Sequence, residues 1–155
     1  QRQGSEAMEY MQVLYAFFAC LGGCLIFNVR GKELFLMPLG GAVGWFVYLL
    51  AAPFGNDIFQ NFAGTVVLSI YAEVMARLRR KPATGYLLVA LFPLVPGGGI
   101  YYTMEYCIAG NTDLFLETGL HTLGVAGVLA LGVLLVSSVV RMFGRSPGLA
   151  DGNRR

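Results

Sequence analysis

The residues that could do chemistry in this chain surround a dense cluster of prolines and glycines near its middle. Residues 92–102 read FPLVPGGGIYY, inside an apolar run over about 86–109. Proline removes a backbone donor and glycine has little helical preference, so the sequence predicts a broken helix that ends near Phe92 and resumes near Gly99. Within a bilayer such a break is tolerated only against protein or a water-lined cavity, because unpaired backbone groups are costly there. The break is therefore a candidate site.

The chemistry predicted for the break is the binding of a carboxylate. The first N–H groups of the second half-helix have no intrahelical partner, and they carry the positive end of the helix dipole. Such ends suit anionic substrates in transporters with interrupted helices, and the glycines let a substrate approach the backbone. The alternative is a proline kink whose free carbonyls are satisfied by a neighbouring helix. The density of the cluster favours a site slightly.

Three ionisable residues in the last two predicted spans are candidates for proton coupling. Glu105 follows Gly99 by six residues, on the same half-helix, and an ionisable group in a membrane span is by default a functional candidate. The alternative for Glu105 is an interfacial position among tyrosines. Glu117 and His121 are spaced i,i+4, so they share a helix face, and histidine is suited to proton exchange near neutral pH. Their alternative is a mutually satisfied interfacial pair.

The sequence lacks the motifs of several function classes. The sequence has no nucleophile–base set, no metal-ligand cluster and no basic face interleaved with aromatics. The PGGG run at 96–99 is followed by no Lys-Ser or Lys-Thr, so it is not an ATPase phosphate loop. We expect no enzyme activity, no cofactor and no nucleic-acid partner. The three cysteines lie in apolar runs and are interpreted as small apolar fillers: Cys20, Cys24 and Cys107.

The elements that must position these residues are membrane helices. Of 155 residues, 56% are hydrophobic and 13% charged, with a mean hydropathy of +0.63. This composition is typical of a membrane protein and not of a small soluble domain. We predict an all-α polytopic membrane protein with about five spans, the fourth broken. The predicted spans are 10–28, 34–52, 58–75, 86–109 and 115–142. In the second, Gly40 and Gly44 form a small-xxx-small pair that allows close helix packing.

The distribution of basic residues predicts the orientation. With alternating loops, ten of the eleven lysines and arginines fall on one side, and only Arg2 falls on the other. The positive-inside rule then places the N-terminus outside and the C-terminus in the cytoplasm. We therefore predict a transmembrane domain over 9–143 and a flexible cytoplasmic tail over 144–155.

Four segments resemble the threonine/serine exporter family. They are FNV at 27–29, GAVGW at 41–45, FPLVPG at 92–97 and YYTM at 101–104. The chain is similar to the small subunit of the split members, the YjjB type, or to the C-terminal half of the fused exporters. The likeness covers about residues 9–143.

The resemblance implies a secondary exporter of small organic acids in the bacterial inner membrane. Fused members export threonine and serine, and split members resemble a succinate and dicarboxylate exporter that needs both a large and a small subunit. A larger membrane partner is therefore expected, with a homo-oligomer as a further assembly. The family pattern is looser at the last two glycines of the run. Together the motif and the break give these expected substrate-binding positions: Asn28, Pro93, Pro96, Gly97, Gly98, Gly99 and Tyr101. A second hypothesis is a non-transporting scaffold that assembles or stabilises the larger subunit.

Overall fold

The computed structural model describes the backbone of residues 2–143 and the side chains of residues 11–143. The tail predicted over 144–155 lies outside the described residues. All regular elements in the described part are helical, which confirms the predicted all-α class. They are α1 (Arg2–Ile26), α2 (Glu33–Ala51), a short 3-10 turn (Ala52–Phe54), α3 (Asp57–Arg79), α4 (Ala83–Leu91), α5 (Gly97–Ile108) and α6 (Thr112–Phe143).

Three of the described helices are long and apolar enough to cross a bilayer. They are α2 with the following turn, α3 and α6. The apolar part of α1, Met11–Ile26, is shorter, and α4 and α5 have only 9 and 12 residues. A five-span topology thus depends on α1 and on α4 and α5 acting together as one interrupted crossing.

The structure confirms the predicted break and shifts its bounds. Helix α4 ends at Leu91 and α5 begins at Gly97, two residues before the expected restart. The reason is Pro96, which occupies the N-cap position of α5. Its carbonyl oxygen accepts from the Ile100 N–H at 3.1 Å, so helical hydrogen bonding begins at the proline rather than after the glycines.

Glycines bring α2 and α3 into close contact, as the small-xxx-small pair predicts. A Cβ on Gly44 would lie 2.8 Å from the Leu68 Cδ2 atom, and one on Gly40 would lie 2.8 Å from the Tyr71 ring. From the other side, a Cβ on Gly64 would lie 2.9 Å from the Gly44 carbonyl oxygen. Side chains at these positions would separate the helices.

The helices enclose two buried apolar clusters. One contains Cys20 and Cys24, both free and fully buried as predicted for small fillers, whereas Cys107 is exposed. The other includes Leu94 from the break. The break is therefore anchored in the core by Leu94, while α5 itself has no buried residue and packs chiefly against α6.

Candidate functional site

The start of α5 presents backbone donors without partners. The Gly97 N–H donates to the Val95 carbonyl oxygen at 2.7 Å. In the described part of the chain, the N–H groups of Gly98 and Gly99 have no backbone acceptor. These two groups are the free donors that the first turn of a helix leaves, and the helix dipole adds a partial positive charge. The break can therefore accept an anionic group.

The two sides of this helix start differ in how closely they are packed. A Cβ on Gly99 would overlap the hydroxyl of Thr122 on α6, so this glycine is required for contact with α6. Gly97 and Gly98 are exposed, and a Cβ on either would meet no atom within 4 Å. Tyr101, one turn later, is also exposed. The free donor of Gly98 thus belongs to a residue beside open space, whereas that of Gly99 belongs to a residue packed against α6.

An apolar groove reaches the break from the side of α1 and α2. It has a volume of about 340 Å³ and is lined by Gln12, Tyr15, Ala16, Ala19, Trp45 and Pro93. The Trp45 indole N–H is buried without a hydrogen-bond partner among the described residues. Pro93 therefore lines a recess that is almost entirely apolar, and the polar donors of the break lie further along the chain.

Asn28 ends helix α1 and does not join the break. Its φ of 54° is left-handed, a conformation that asparagine tolerates better than most residues. Its N–H donates to the Leu25 carbonyl oxygen at 3.1 Å, which closes the last turn. The preceding residue, Phe27, stacks on Phe92 with ring centroids 6.1 Å apart. The turn at Asn28 is thus linked to the break through two aromatic rings.

The predicted proton-coupling residues do not form one group. Glu105 and Glu117 are exposed, on α5 and α6 respectively. His121 does not pair with Glu117; its Nε2 lies 3.4 Å from the Asp57 Oδ2 atom. The reason is tertiary, because α3 packs along α6 and brings Asp57 to the histidine.

Asp57 is the centre of a polar cluster that the sequence reasoning missed. Its Oδ1 accepts from the Tyr48 hydroxyl at 2.6 Å and from Asn61 Nδ2 at 3.2 Å. Asp57 begins a polar series at every fourth position of α3, which continues with Asn61, Thr65 and Ser69, all three buried. The Ser69 hydroxyl has no hydrogen-bond partner among the described residues. This i,i+4 spacing within an apolar run was the signal that could have found the cluster.

A second missed network surrounds Glu33 at the other end of α2. The Glu33 side chain is 4% exposed. Its Oε1 lies 3.1 Å from Arg79 Nη2 and 3.6 Å from Lys81 Nζ, and its Oε2 accepts from the Tyr86 hydroxyl. A carboxylate at the start of an apolar run, on the side rich in basic residues, was the available signal. The network joins α2, α3 and α4.

Together the fold and the break define an all-α membrane protein with an interrupted helix. The second part of that helix, α5, begins beside open space. A family model described as Threonine/Serine exporter, ThrE, matches residues 12–139. The chain belongs to this family, which confirms the resemblance carried by its four segments, and it is a transport protein of the exporter type. No curated protein matches it, and no solved structure does either. The matched region contains the break and both polar clusters.

Proposed function

We propose that this chain is the small membrane subunit of a two-component secondary exporter of small carboxylates. The substrates are succinate and other dicarboxylates, or the amino acids threonine and serine. The partner is a larger membrane subunit of the same family, and export is driven by a proton gradient. The family match supports the export function.

We infer the substrate class from the first turn of α5, where unpaired backbone N–H groups lie near open space. Two unpaired N–H groups, at Gly98 and Gly99, lie next to positions where an added Cβ would meet nothing. A carboxylate oxygen is the acceptor that such a helix end favours, and a hydrogen bond to a charged group is stronger than a neutral one. Every proposed substrate carries at least one carboxylate.

The need for a partner is supported by the exposure of α5. Its large apolar side chains Tyr101, Tyr102, Met104 and Ile108 are exposed, and Glu105 lies among them. Lipid tails cannot accept hydrogen bonds from the Gly98 and Gly99 N–H groups, and they do not solvate a carboxylate. A second protein surface would cover this face and complete the wall of the pathway.

The proposed orientation places the protein in the bacterial inner membrane, with the N-terminus outside and the C-terminus in the cytoplasm. The basic groups around Glu33, which are Arg79 and Lys81, lie on the predicted cytoplasmic side. The cluster at Asp57 then lies on the outer side. In this orientation α4 leads from the cytoplasmic side to the break, and α5 leads from the break towards the outer side.

A second candidate function is a non-transporting scaffold for the larger subunit. The apolar lining of the groove at Pro93 favours it, since a pathway for polar substrates requires polar walls or water. In that case the break is a packing kink, and its variants lower the yield of the complex rather than its turnover.

The test compares efflux per complex for variants at the break. The two subunits are co-purified and reconstituted in vesicles loaded with labelled succinate, threonine or serine. Gly98→Leu fills the open space beside the free donors, and Pro96→Ala replaces the N-cap residue of α5. A lost hydrogen bond to a charged group costs on the order of 1.5–3 kcal/mol, so we expect efflux to fall about tenfold or more.

Gly127→Leu is the matched control, because Gly127 on α6 is also exposed and has no atom within 4 Å of an added Cβ. Its efflux and yield should equal those of the unmodified complex. Unchanged efflux per complex after both Gly98→Leu and Pro96→Ala contradicts the site. A reduced yield with unchanged efflux per complex supports the scaffold.

A further inference from the structure

We propose that Asp57 and His121 form the proton-binding site of this exporter, and that Thr122 connects the site to the break. The proposal rests on the export function proposed above and assigns the place where its coupling ion binds. It differs from the sequence-based expectation, since the partner of the histidine is Asp57 rather than a glutamate on the same helix.

The geometry at Asp57 gives its two carboxylate oxygens different partners. Oδ1 accepts from the Tyr48 hydroxyl and the Asn61 amide, at 2.6 and 3.2 Å. Among the residues that the structure describes, the charged partner of Oδ2 is His121, whose Nε2 lies at 3.4 Å. Both side chains of this pair are partly exposed, so water can reach them. One oxygen is therefore held in place, and the other is available to an imidazolium.

The titratable groups around the pair come from the helices that pack against α3 and α6. Helix α5, which packs against α6, carries Glu105 and the tyrosines Tyr101, Tyr102 and Tyr106. Helix α2 contributes the phenol of Tyr48, and α6 contributes the imidazole of His121. On α6, Glu117 lies one turn before the histidine, and it forms no ion pair in the described part of the chain. The titratable residue of α4 is Tyr86, which is bound to Glu33 at the opposite end of α2. Histidine is the residue type among these that is suited to proton exchange near neutral pH.

Proton binding changes the force between α3 and α6. A neutral imidazole takes one proton from water on the outer side and becomes an imidazolium, whose positive charge attracts the Asp57 carboxylate across the 3.4 Å between Nε2 and Oδ2. Loss of the same proton to water removes the positive charge and the ionic attraction. Protonation therefore draws α6 towards the start of α3, and deprotonation releases it.

The residue after the histidine transmits this change to the break. The Thr122 hydroxyl donates to the Thr118 carbonyl oxygen at 2.7 Å, which holds its side chain against α6. On its other side it lies against Gly99, with no room for a Cβ. A shift of α6 at His121 thus moves the first turn of α5, where the free N–H groups of Gly98 and Gly99 lie.

The polar series on α3 also leads from the Asp57 site towards the break. From Asp57 the series continues inward through Asn61 and Thr65, whose hydroxyl donates to the Asn61 carbonyl oxygen at 2.7 Å. Gly64, next to Thr65, lies close to Leu94 in the break, since its Cβ would be 3.3 Å from the Leu94 Cδ1 atom. The proton site and the substrate site are therefore joined along both α3 and α6.

The first test follows proton binding through the single tryptophan of the chain. Trp45 stacks on Tyr48 with ring centroids 4.9 Å apart, and Tyr48 donates to Asp57. The full chain in lipid nanodiscs should show a change in tryptophan fluorescence between about pH 5 and pH 8, the range in which imidazoles titrate. The change should persist in Glu117→Gln and be absent from His121→Gln and Asp57→Asn, with circular dichroism verifying that each variant is helical.

The proposed proton site is overturned if the fluorescence change persists in His121→Gln. It is also overturned if the unmodified chain shows no fluorescence change over this pH range. Asp57→Asn provides an independent test if the histidine variant does not fold, because it removes the carboxylate charge that faces His121 without removing the imidazole. A change equal to that of the unmodified chain in this variant likewise overturns the pair.

The second test measures coupling in vesicles that contain the complex with its larger partner. Efflux of labelled threonine, serine or succinate should rise severalfold when the outside pH is lowered from about 8 to about 6. This dependence should be lost in Asp57→Asn and His121→Gln and retained in Glu117→Gln. An unchanged pH dependence in the first two variants overturns the coupling role. If the unmodified complex releases none of the three substrates, the proposed export function fails, whereas the fluorescence titration still tests the proton site.

Discussion

Gly99 lies directly against the hydroxyl of Thr122, so closely that no side chain fits between α5 and α6 at this point. This contact fixes which way the first turn of α5 faces. With Gly99 turned to α6, Gly98 is exposed on the open side. Neighbouring glycines of the run therefore differ in their surroundings, since Gly99 permits packing against α6 and Gly98 lies beside open space.

Gly99→Ala should destabilise the packing of α5 on α6, whereas Gly98→Ala should not. The added methyl group of the first variant overlaps Thr122, while that of the second meets no atom within 4 Å. Overpacking of this kind costs about 1–3 kcal/mol. Thermal unfolding of the purified chain in detergent measures both variants. Equal melting temperatures for the two would show that the contact with Thr122 is not tight.

Gly64→Ala should loosen the contact between α2 and α3. Its Cβ would lie 2.9 Å from the Gly44 carbonyl oxygen, a backbone atom that cannot rotate away. We expect a loss of about 1–3 kcal/mol in the free energy of unfolding. Gly127→Ala, which meets no neighbour, is the control and should keep the melting temperature of the unmodified chain. A loss of the same size in both variants would refute the packing explanation.

Arg79→Met should destabilise the chain more than Glu33→Gln does. The first variant leaves a buried carboxylate with Tyr86 and the more distant Lys81, while the second frees an arginine that can turn to solvent. Since the Arg79 side chain is 36% exposed, the usual cost of breaking a buried pair is reduced here to about 1–3 kcal/mol. Chemical denaturation of Arg30→Met, an exposed loop variant, supplies the baseline. The reverse order of the two main variants would show that the carboxylate is not the group that requires compensation.

The fold was largely predictable because its signals are local. The all-α class followed from composition, and the break followed from the chemistry of Pro93, Pro96 and the glycines. The close approach of α2 to α3 followed from the spacing of Gly40 and Gly44. Helix ends were less accurate: α3 continues to Arg79, beyond its predicted end at 75, because arginine is a good helix former and is favoured near a C-terminus.

The polar clusters were not predictable by the same means, because they depend on which helices pack together. The i,i+4 spacing of Glu117 and His121 indicated a pair on one helix, but the packing of α3 against α6 offered Asp57 instead. In the same way Glu33 acquires partners from α3 and α4, more than 40 residues away in sequence. A pattern in a single sequence shows which residues share a helix face, but it does not show which other helix packs against that face.

The measurement that tests the central proposal most directly is efflux from vesicles containing the small subunit, the larger subunit, or both. We predict that labelled threonine, serine or succinate leaves only when both are present, and that Gly98→Leu in the small subunit slows this efflux about tenfold at equal complex content. Efflux from the larger subunit alone at the rate of the complete complex, with no effect of Gly98→Leu, would contradict a role of this chain in transport.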